Sequence, residues 1–307
     1  MRSRVAVLMG GWSSEREVSL VSGRDCADAL ASLGYDVKRI DVTRDLDALL
    51  AALRPRPDAV FNALHGTGGE DGTIQGVLEF LRIPYTHSGV LASAAGMHKP
   101  TANAVFAAAG LPVPGGKLLT REALAAGGDP LPRPFVVKPP SEGSSVGVRI
   151  VRANDNSWGV EARSWAYEEA LVEPFIPGRE LTVAVMGERA LGALEIRPNN
   201  TTMYDYTAKY APGGSTHIMP APIHPRAYEE ALDISLRAHR ALGCRGVSRA
   251  DLRYDDTAGE PGRMVLLEVN TQPGMTPTSL VPDIAKHAGI GFAELVRWMV
   301  ENAACDS

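Results

Sequence analysis

A lysine that closes an apolar run and leads into small residues, Lys138-Pro139-Pro140-Ser141-Glu142-Gly143-Ser144-Ser145-Val146-Gly147, has the composition of a phosphate cradle. Backbone N–H groups near Gly143 and Gly147 can point inward, Ser144 and Ser145 add hydroxyl donors, and Lys138 adds a point charge. In a Walker A loop the lysine follows the glycines and opens a helix; here it precedes them, which excludes that fold. A flexible hairpin with an exposed lysine has the same composition, so the loop alone does not decide.

A second constellation spans Arg249–Tyr254 (RADLRY) and Met264–Asn270 (MVLLEVN), separated by the turn-rich Asp255–Gly262. Side chains alternate along a strand, so Arg249 and Asp251 share one face, as do Glu268 and Asn270. A turn centred near residue 259 sets Asp251 opposite Glu268. Two carboxylates and an amide oxygen on one face suit a hard cation such as magnesium between protein and nucleotide phosphates. The alternative is a solvated hairpin face. Against it, Val265, Leu267 and Val269 are expected to make the opposite face core, and Leu252 and Leu266 limit the polarity of the region. An acid pair without a cation would also repel itself.

Glu173 and Glu180 flank Pro174-Phe175-Ile176-Pro177-Gly178, an apolar connector able to sandwich a planar base or to serve as a plain linker. His65 follows a predicted parallel strand, where ligands of open α/β sheets gather. Gly10 and Gly11 follow the first strand but lack the third glycine of a dinucleotide fingerprint. The 7 histidines show no HExxH or clustered spacing, which disfavours zinc, and His239 reads as structural.

The elements that must position these groups begin with a strand near 4–9, a helix near 15–33, a strand near 36–41, a helix near 45–53 and a strand near 58–62. That alternation predicts a parallel sheet covered by helices. Cys26, Leu30 and Leu33 form the helix's inner face before Gly34 stops it, so Cys26 is core. A helix near 100–110 follows, then strands at 135–138 and 146–151 around the glycine-serine loop, and a segment at 170–176. Strands at 180–186 and 190–196 form a hairpin about Gly187. Residues 198–217 lack periodicity and read as a lid loop, mobile without ligands. A helix over Pro225–Leu242 and a closing amphipathic helix from Phe292 complete the pattern.

With 307 residues, 45% of them hydrophobic, the chain divides into more than one compact unit. Interspersed charges summing to -5 offer no basic stripe, so nucleic acid is not a partner. The 3 cysteines lack paired spacing, and no apolar run reaches the roughly 18 residues of a membrane span. A cytoplasmic location with no membrane partner is expected.

Taken together, five segments resemble the D-alanine–D-alanine ligases of the ATP-grasp superfamily in order and approximate spacing. They are GGWSSEREVSL from Gly10, ALHGTGGEDGTIQG from Ala63, the Lys138–Gly147 loop, YDYTAKY from Tyr204 and LLEVNTQPGMTPTSLVP from Leu266. The resemblance implies an α/β ATP-grasp fold: a Rossmann-like N-terminal substrate domain over 1–97, a central ATP-grasp subdomain over 98–178 and a C-terminal one over 179–307. It implies ATP-dependent ligation of two D-alanine molecules through a D-alanyl phosphate, for peptidoglycan synthesis, in a homodimer.

By the same resemblance, Lys99, Lys138, Ser145, Glu173, Glu180 and Lys209 meet the nucleotide, with adenine at the backbone of Ile176. Asp251, Glu268 and Asn270 fall on the ligands of two magnesium or manganese ions. Glu15 matches the contact to the first D-alanine's ammonium group, and His65 lies in that subsite. Arg249 and the Gly274 backbone match groups that steady the tetrahedral intermediate, and Ser279 matches a contact to the second D-alanine's carboxylate. Ser144 and Tyr210 join Glu15 in a hydrogen-bonded set that ties down the lid. Departures are His98 for an acid, Thr207 for glutamate and Gln272 for serine. A D-lactate ligase would lack the lid tyrosine, a nucleotide sensor would lose the metal ligands or Lys138, and a dehydrogenase would need the full glycine fingerprint.

Overall fold

The run Val5–Leu8 is apolar on both faces and becomes the middle strand of a three-stranded parallel sheet, each residue at most 2% exposed. A computed structural model describes residues 3–199 and 213–306. The sheet has the order β2-β1-β3, with β1 at Arg4–Gly10, β2 at Asp36–Val42 and β3 at Ala59–Asn62. Helices α1 (Arg16–Ser32) and α2 (Leu46–Ala52) cross between its strands, and α3 (Thr73–Phe80), α4 (Val90–Met97) and α5 (Lys99–Ala108) lead away from it. Buried Ser19 in α1 stitches the strand ends together: its hydroxyl accepts from Gly10 N at 2.9 Å and donates to Ala63 O at 2.7 Å.

A second sheet is antiparallel, in the order β4-β7-β5-β6: β4 at Lys117–Thr120, β5 at Phe135–Lys138, β6 at Arg149–Val151 and β7 at Glu169–Pro174. Helices α6 (Arg121–Ala125) and α7 (Trp158–Arg163) cover one face, where Trp158 meets Phe135 edge-on at 5.4 Å. The third sheet has the order β10-β9-β8-β11-β12, all antiparallel, with β8 at Arg179–Met186, β9 at Arg189–Pro198, β10 at Ser215–Ile218, β11 at Val247–Asp255 and β12 at Arg263–Asn270. Helices α8 (Pro225–Ala241) and α9 (Leu280–His287) pack against it, and α10 (Phe292–Glu301) packs on α9 and against α1 and β3 of the parallel sheet.

Cores follow from the faces. One side of the parallel sheet, with Val5, Val7, Leu30 and Phe61, shares a cluster with Ala184, Leu194, Ile284 and Val296 of the third sheet and its helices. The second sheet keeps a cluster of its own, built on Phe135, Val137, Trp158 and Val172. Cys26 is fully buried, and burial pushes its thiol well up, as expected of a core cysteine. His239 is buried with Nδ1 2.6 Å from Ser248 Oγ.

Four expectations are corrected. Leu33 is 39% exposed, because α1 ends at Ser32 and the chain turns away before Gly34. The strand expected over 146–151 begins at Arg149, because Ser144, Ser145 and Gly147 take left-handed conformations. The expected loop over 198–217 has ordered ends: β9 runs to Pro198, Ser215–Ile218 pairs with it, and Asn199 N donates to Gly214 O at 3.0 Å. Leu267 is not core. Asp251 pairs with Glu268 and Leu252 with Leu266, so Leu267 is an unpaired bulge residue, half-buried beside the cleft.

Candidate active site

Two adjoining cavities lie where the three sheets meet. The first, of about 160 Å³, opens between the second and third sheets, with Val136, Ile150, Phe175, Ile176 and Leu267 as apolar walls. Lys138, at the end of β5, enters it and pairs with Glu173 of β7 at 2.6 Å, side chains 10% and 3% exposed. Such a pair survives burial only because each charge answers the other. Glu173 also accepts from Asn103 Nδ2 at 2.8 Å. Glu180 meets Arg253 at 3.5 Å, and Arg253 Nε donates to Ile176 O at 3.1 Å, which fixes the connector against β11. Burial pushes the Arg253 guanidinium down from its ordinary value, against the pull of Glu180 and Asp255.

The second cavity, of about 360 Å³, is lined by Glu15, His65, Arg249, Asn270, Gly274 and Ser279. The two share Lys99, Glu142, Gly143, Ser144 and Glu268 as a common wall. Ser144 Oγ donates to Glu15 Oε1, joining the glycine-serine loop to the start of α1. Lys99 Nζ donates to Glu142 O at 2.5 Å and lies 3.8 Å from Glu268. His65 Nδ1 is 2.9 Å from Glu70 Oε1, and Ser13 Oγ donates to the His65 carbonyl at 2.6 Å.

Register brings the acid pair together. Asp251 faces Glu268 and Arg249 faces Asn270 across β11 and β12. Arg249 grips Asp251 through Nε and Nη2, one edge of its guanidinium, at 2.8 Å and 2.6 Å, while Thr182 Oγ1 donates to the same carboxylate at 2.7 Å. Asn270 Oδ1 accepts from Gln272 N at 2.8 Å. Among the described residues no group of three or more His, Cys, Asp or Glu could hold a metal alone. The oxygen donors here are two carboxylates and one amide, so a cation would need ligand oxygens from a bound substrate as well.

Residues 105–301 match the family model described as D-ala D-ala ligase C-terminus, and residues 50–88 match D-ala D-ala ligase N-terminus. The D-alanine--D-alanine ligase of Paramagnetospirillum magneticum is 61% identical over 312 residues, covering 100% of both chains. The chain belongs to the D-alanine–D-alanine ligase family. A second D-alanine--D-alanine ligase, from Granulibacter bethesdensis, is 60% identical over 303 residues, covering 98% of each. The crystal structure of D-alanine--D-alanine ligase from Bacillus anthracis complexed with ATP matches with a TM-score of 0.79 at 29% identity, covering 98% of this chain and 97% of that one. The fold is the α/β ATP-grasp fold of these ligases.

In this D-alanine–D-alanine ligase family member, the sequence-selected residues Glu15, His65, Lys99, Ser144, Arg249, Glu268, Asn270, Gly274 and Ser279 line the larger cavity. Lys138, Ser145, Glu173, Ile176, Glu180 and Asp251 line the smaller one. Thr207, Lys209 and Tyr210, and most of the expected lid, lie outside the described residues. Arg253 was missed, although strand alternation sets it on the face of Arg249 and Asp251. Glu70, His217 and Leu267 were also missed: the first two reach the cavity by tertiary folding, and the third by a bulge. No helix among the described residues is long and apolar enough to cross a membrane.

Proposed function

We propose that this ligase joins two D-alanine molecules using ATP, through a D-alanyl phosphate, and so supplies D-alanyl-D-alanine for peptidoglycan synthesis. The observation that carries the reading is the common wall: the cleft around Lys138 and Glu173 opens, past Ser144 and Glu268, into the cavity around Glu15 and Arg249. A nucleotide in the first and an amino acid in the second would meet there.

In this reading adenine lies between the apolar walls beside the Ile176 backbone, and Glu180 receives ribose hydroxyls. Lys138, Lys99 and Ser145 address the phosphates, with Lys209 alongside. The first D-alanine places its ammonium group at Glu15 near His65, and its carboxylate oxygen attacks the γ-phosphorus as ADP departs. The second D-alanine, held by its carboxylate at Ser279, attacks the acyl carbon through its amine, which loses a proton as phosphate leaves. Arg249 and the Gly274 N–H steady the oxyanion, and Tyr210 with Ser144 ties the lid down to exclude water. Hard oxygen donors on one sheet face fit two magnesium or manganese ions, which Asp251, Glu268 and Asn270 would hold together with phosphate oxygens. Such ions neutralise charge on the transferred phosphoryl group.

The domain limits proposed are 1–97, 98–178 and 179–307, supported by one sheet falling within each. A cytoplasmic homodimer completes the reading; Phe80 and Leu91, apolar and exposed on packed helices α3 and α4, are residues such a contact would cover. The test is phosphate release with ATP and D-alanine, L-alanine or D-lactate presented separately. Release and dipeptide formation are expected with D-alanine alone, and equal release with L-alanine would overturn the reading.

A further inference from the structure

Gln272 has no part in the chemistry above, yet it is only 1% exposed. It lies two residues beyond β12 and packs its amide against the end of the parallel sheet, 210 residues away in sequence from its partner Asn62. Its Oε1 accepts from Asn62 Nδ2 at 2.8 Å and from Gln75 Nε2 at 3.5 Å, and its Nε2 donates to Leu64 O. Asn62 and Gln75, both fully buried, each donate to Gly69 O, at 3.1 Å and 2.8 Å. Asn62 Oδ1 accepts from Leu64 N at 3.2 Å. Three buried carboxamides therefore hold both ends of the loop 64–69, which carries His65.

The backbone side of Gln272 meets Asn270, which lines the same cavity as His65. Its N–H donates to Asn270 Oδ1, so the oxygen end of that carboxamide is assigned, because an NH2 group there would meet another donor. Burying three amides is unfavourable unless their bonds are made, and an apolar side chain of similar size would fill the same space. What the amide adds is a directional tie between two neighbouring segments that both contribute residues to the larger cavity.

We propose that Gln272 is a positioning residue for the first-substrate subsite: it fastens the His65 loop to the Asn270 end of β12, so that both stand at a set separation. The proposal rests on the ligase reading of the site. The tie reaches the larger cavity through His65, Asn270 and Thr271, none of which lines the nucleotide cleft, so its loss is felt by D-alanine more than by ATP.

The test uses the full chain with Gln272→Met, which keeps the length of the side chain and removes its hydrogen bonds. Steady-state kinetics vary D-alanine and ATP separately, with the unsubstituted enzyme alongside and thermal melting on the same samples. The KM for D-alanine is expected to rise roughly tenfold, a modest share of what misplacement near a reacting centre can bring, while the KM for ATP stays within about twofold. Gln75→Met breaks the rim of the same network and should move the same constants in the same direction by less. Equal changes in both KM values, or a lower melting temperature with both KM values unchanged, would overturn the proposal. If Gln272→Met does not fold, the split measured in Gln75→Met decides. Absence of D-alanine-dependent phosphate release in the unsubstituted enzyme would instead overturn the ligase reading itself.

Discussion

Lys138 and Glu173 illustrate how a binding group can also be a structural one. With both side chains nearly buried, removing the ammonium leaves a carboxylate without its partner, a loss of about 3–5 kcal/mol. Lys138→Ala is therefore expected to lower the melting temperature and to weaken ATP far more than D-alanine. Combining Lys138→Met with Glu173→Leu should restore most of the melting temperature but not ATP affinity, since no charge is left unpaired and only Asn103 Nδ2 loses its acceptor. Calorimetry with ATP and melting curves on all three proteins separate the effects, and full recovery of ATP affinity in the double variant would refute the phosphate role. Glu268 differs because its side chain is 34% exposed. Glu268→Gln should leave the melting temperature nearly unchanged and reduce ligation on the order of 100-fold or more, as charge at the transferred phosphoryl group is lost. Near-normal turnover at matched magnesium would exclude it as a ligand.

At the scale of elements, the connector between β7 and β8 sets the geometry of the nucleotide cleft. Gly178 holds φ at +88°, and a Cβ there would come 2.1 Å from Tyr254 O and 2.8 Å from the Asp255 backbone. Arg253 also bonds Gly178 O at 2.8 Å, so β11 leaves the connector no room to shift. Gly178→Ala should cost about 1–3 kcal/mol through strain and raise the KM for ATP, with that for D-alanine less affected. Urea unfolding and kinetics check both halves, and an unchanged ATP constant would show that the Ile176 backbone is not an adenine contact. The bulge at Leu267 acts on the same cleft, turning a side chain expected in the core into part of its wall.

Across the whole molecule, the shared core of the first and third sheets makes them one body, against which the second sheet stands as a separate unit. Global stability should therefore report on histidines buried within that body. Burial pushes His87 down to about 3 and His239 down to about 4, from 6.5. The unfolded chain binds these protons more readily, so their contribution is full above pH 6.5 and is lost as pH falls toward the folded values. At pH 5 each should subtract roughly 2 kcal/mol. The urea midpoint is expected to fall between about pH 7.5 and about pH 5, and His239→Gln should remove about half of the pH dependence. A midpoint independent of pH over that range would contradict the burial of both rings as neutral groups.

Much of this was determined by the sequence alone, because it rests on local periodicity. Alternation along each strand and a turn centred near residue 259 placed Asp251 opposite Glu268, and apolar runs separated by a 3.6-residue period announced the parallel sheet. The lysine-led loop and the paired glutamates were legible for the same reason: their chemistry lies in neighbouring residues. Tertiary structure decided the rest. Gln272 finds Asn62 across 210 residues, the bulge at Leu267 breaks the alternation that predicted its burial, and α9 and α10 join one sheet's core to another's. Such contacts are selected by the shape of packed surfaces and by the need to satisfy every buried polar group, and neither is encoded at a fixed spacing along the chain.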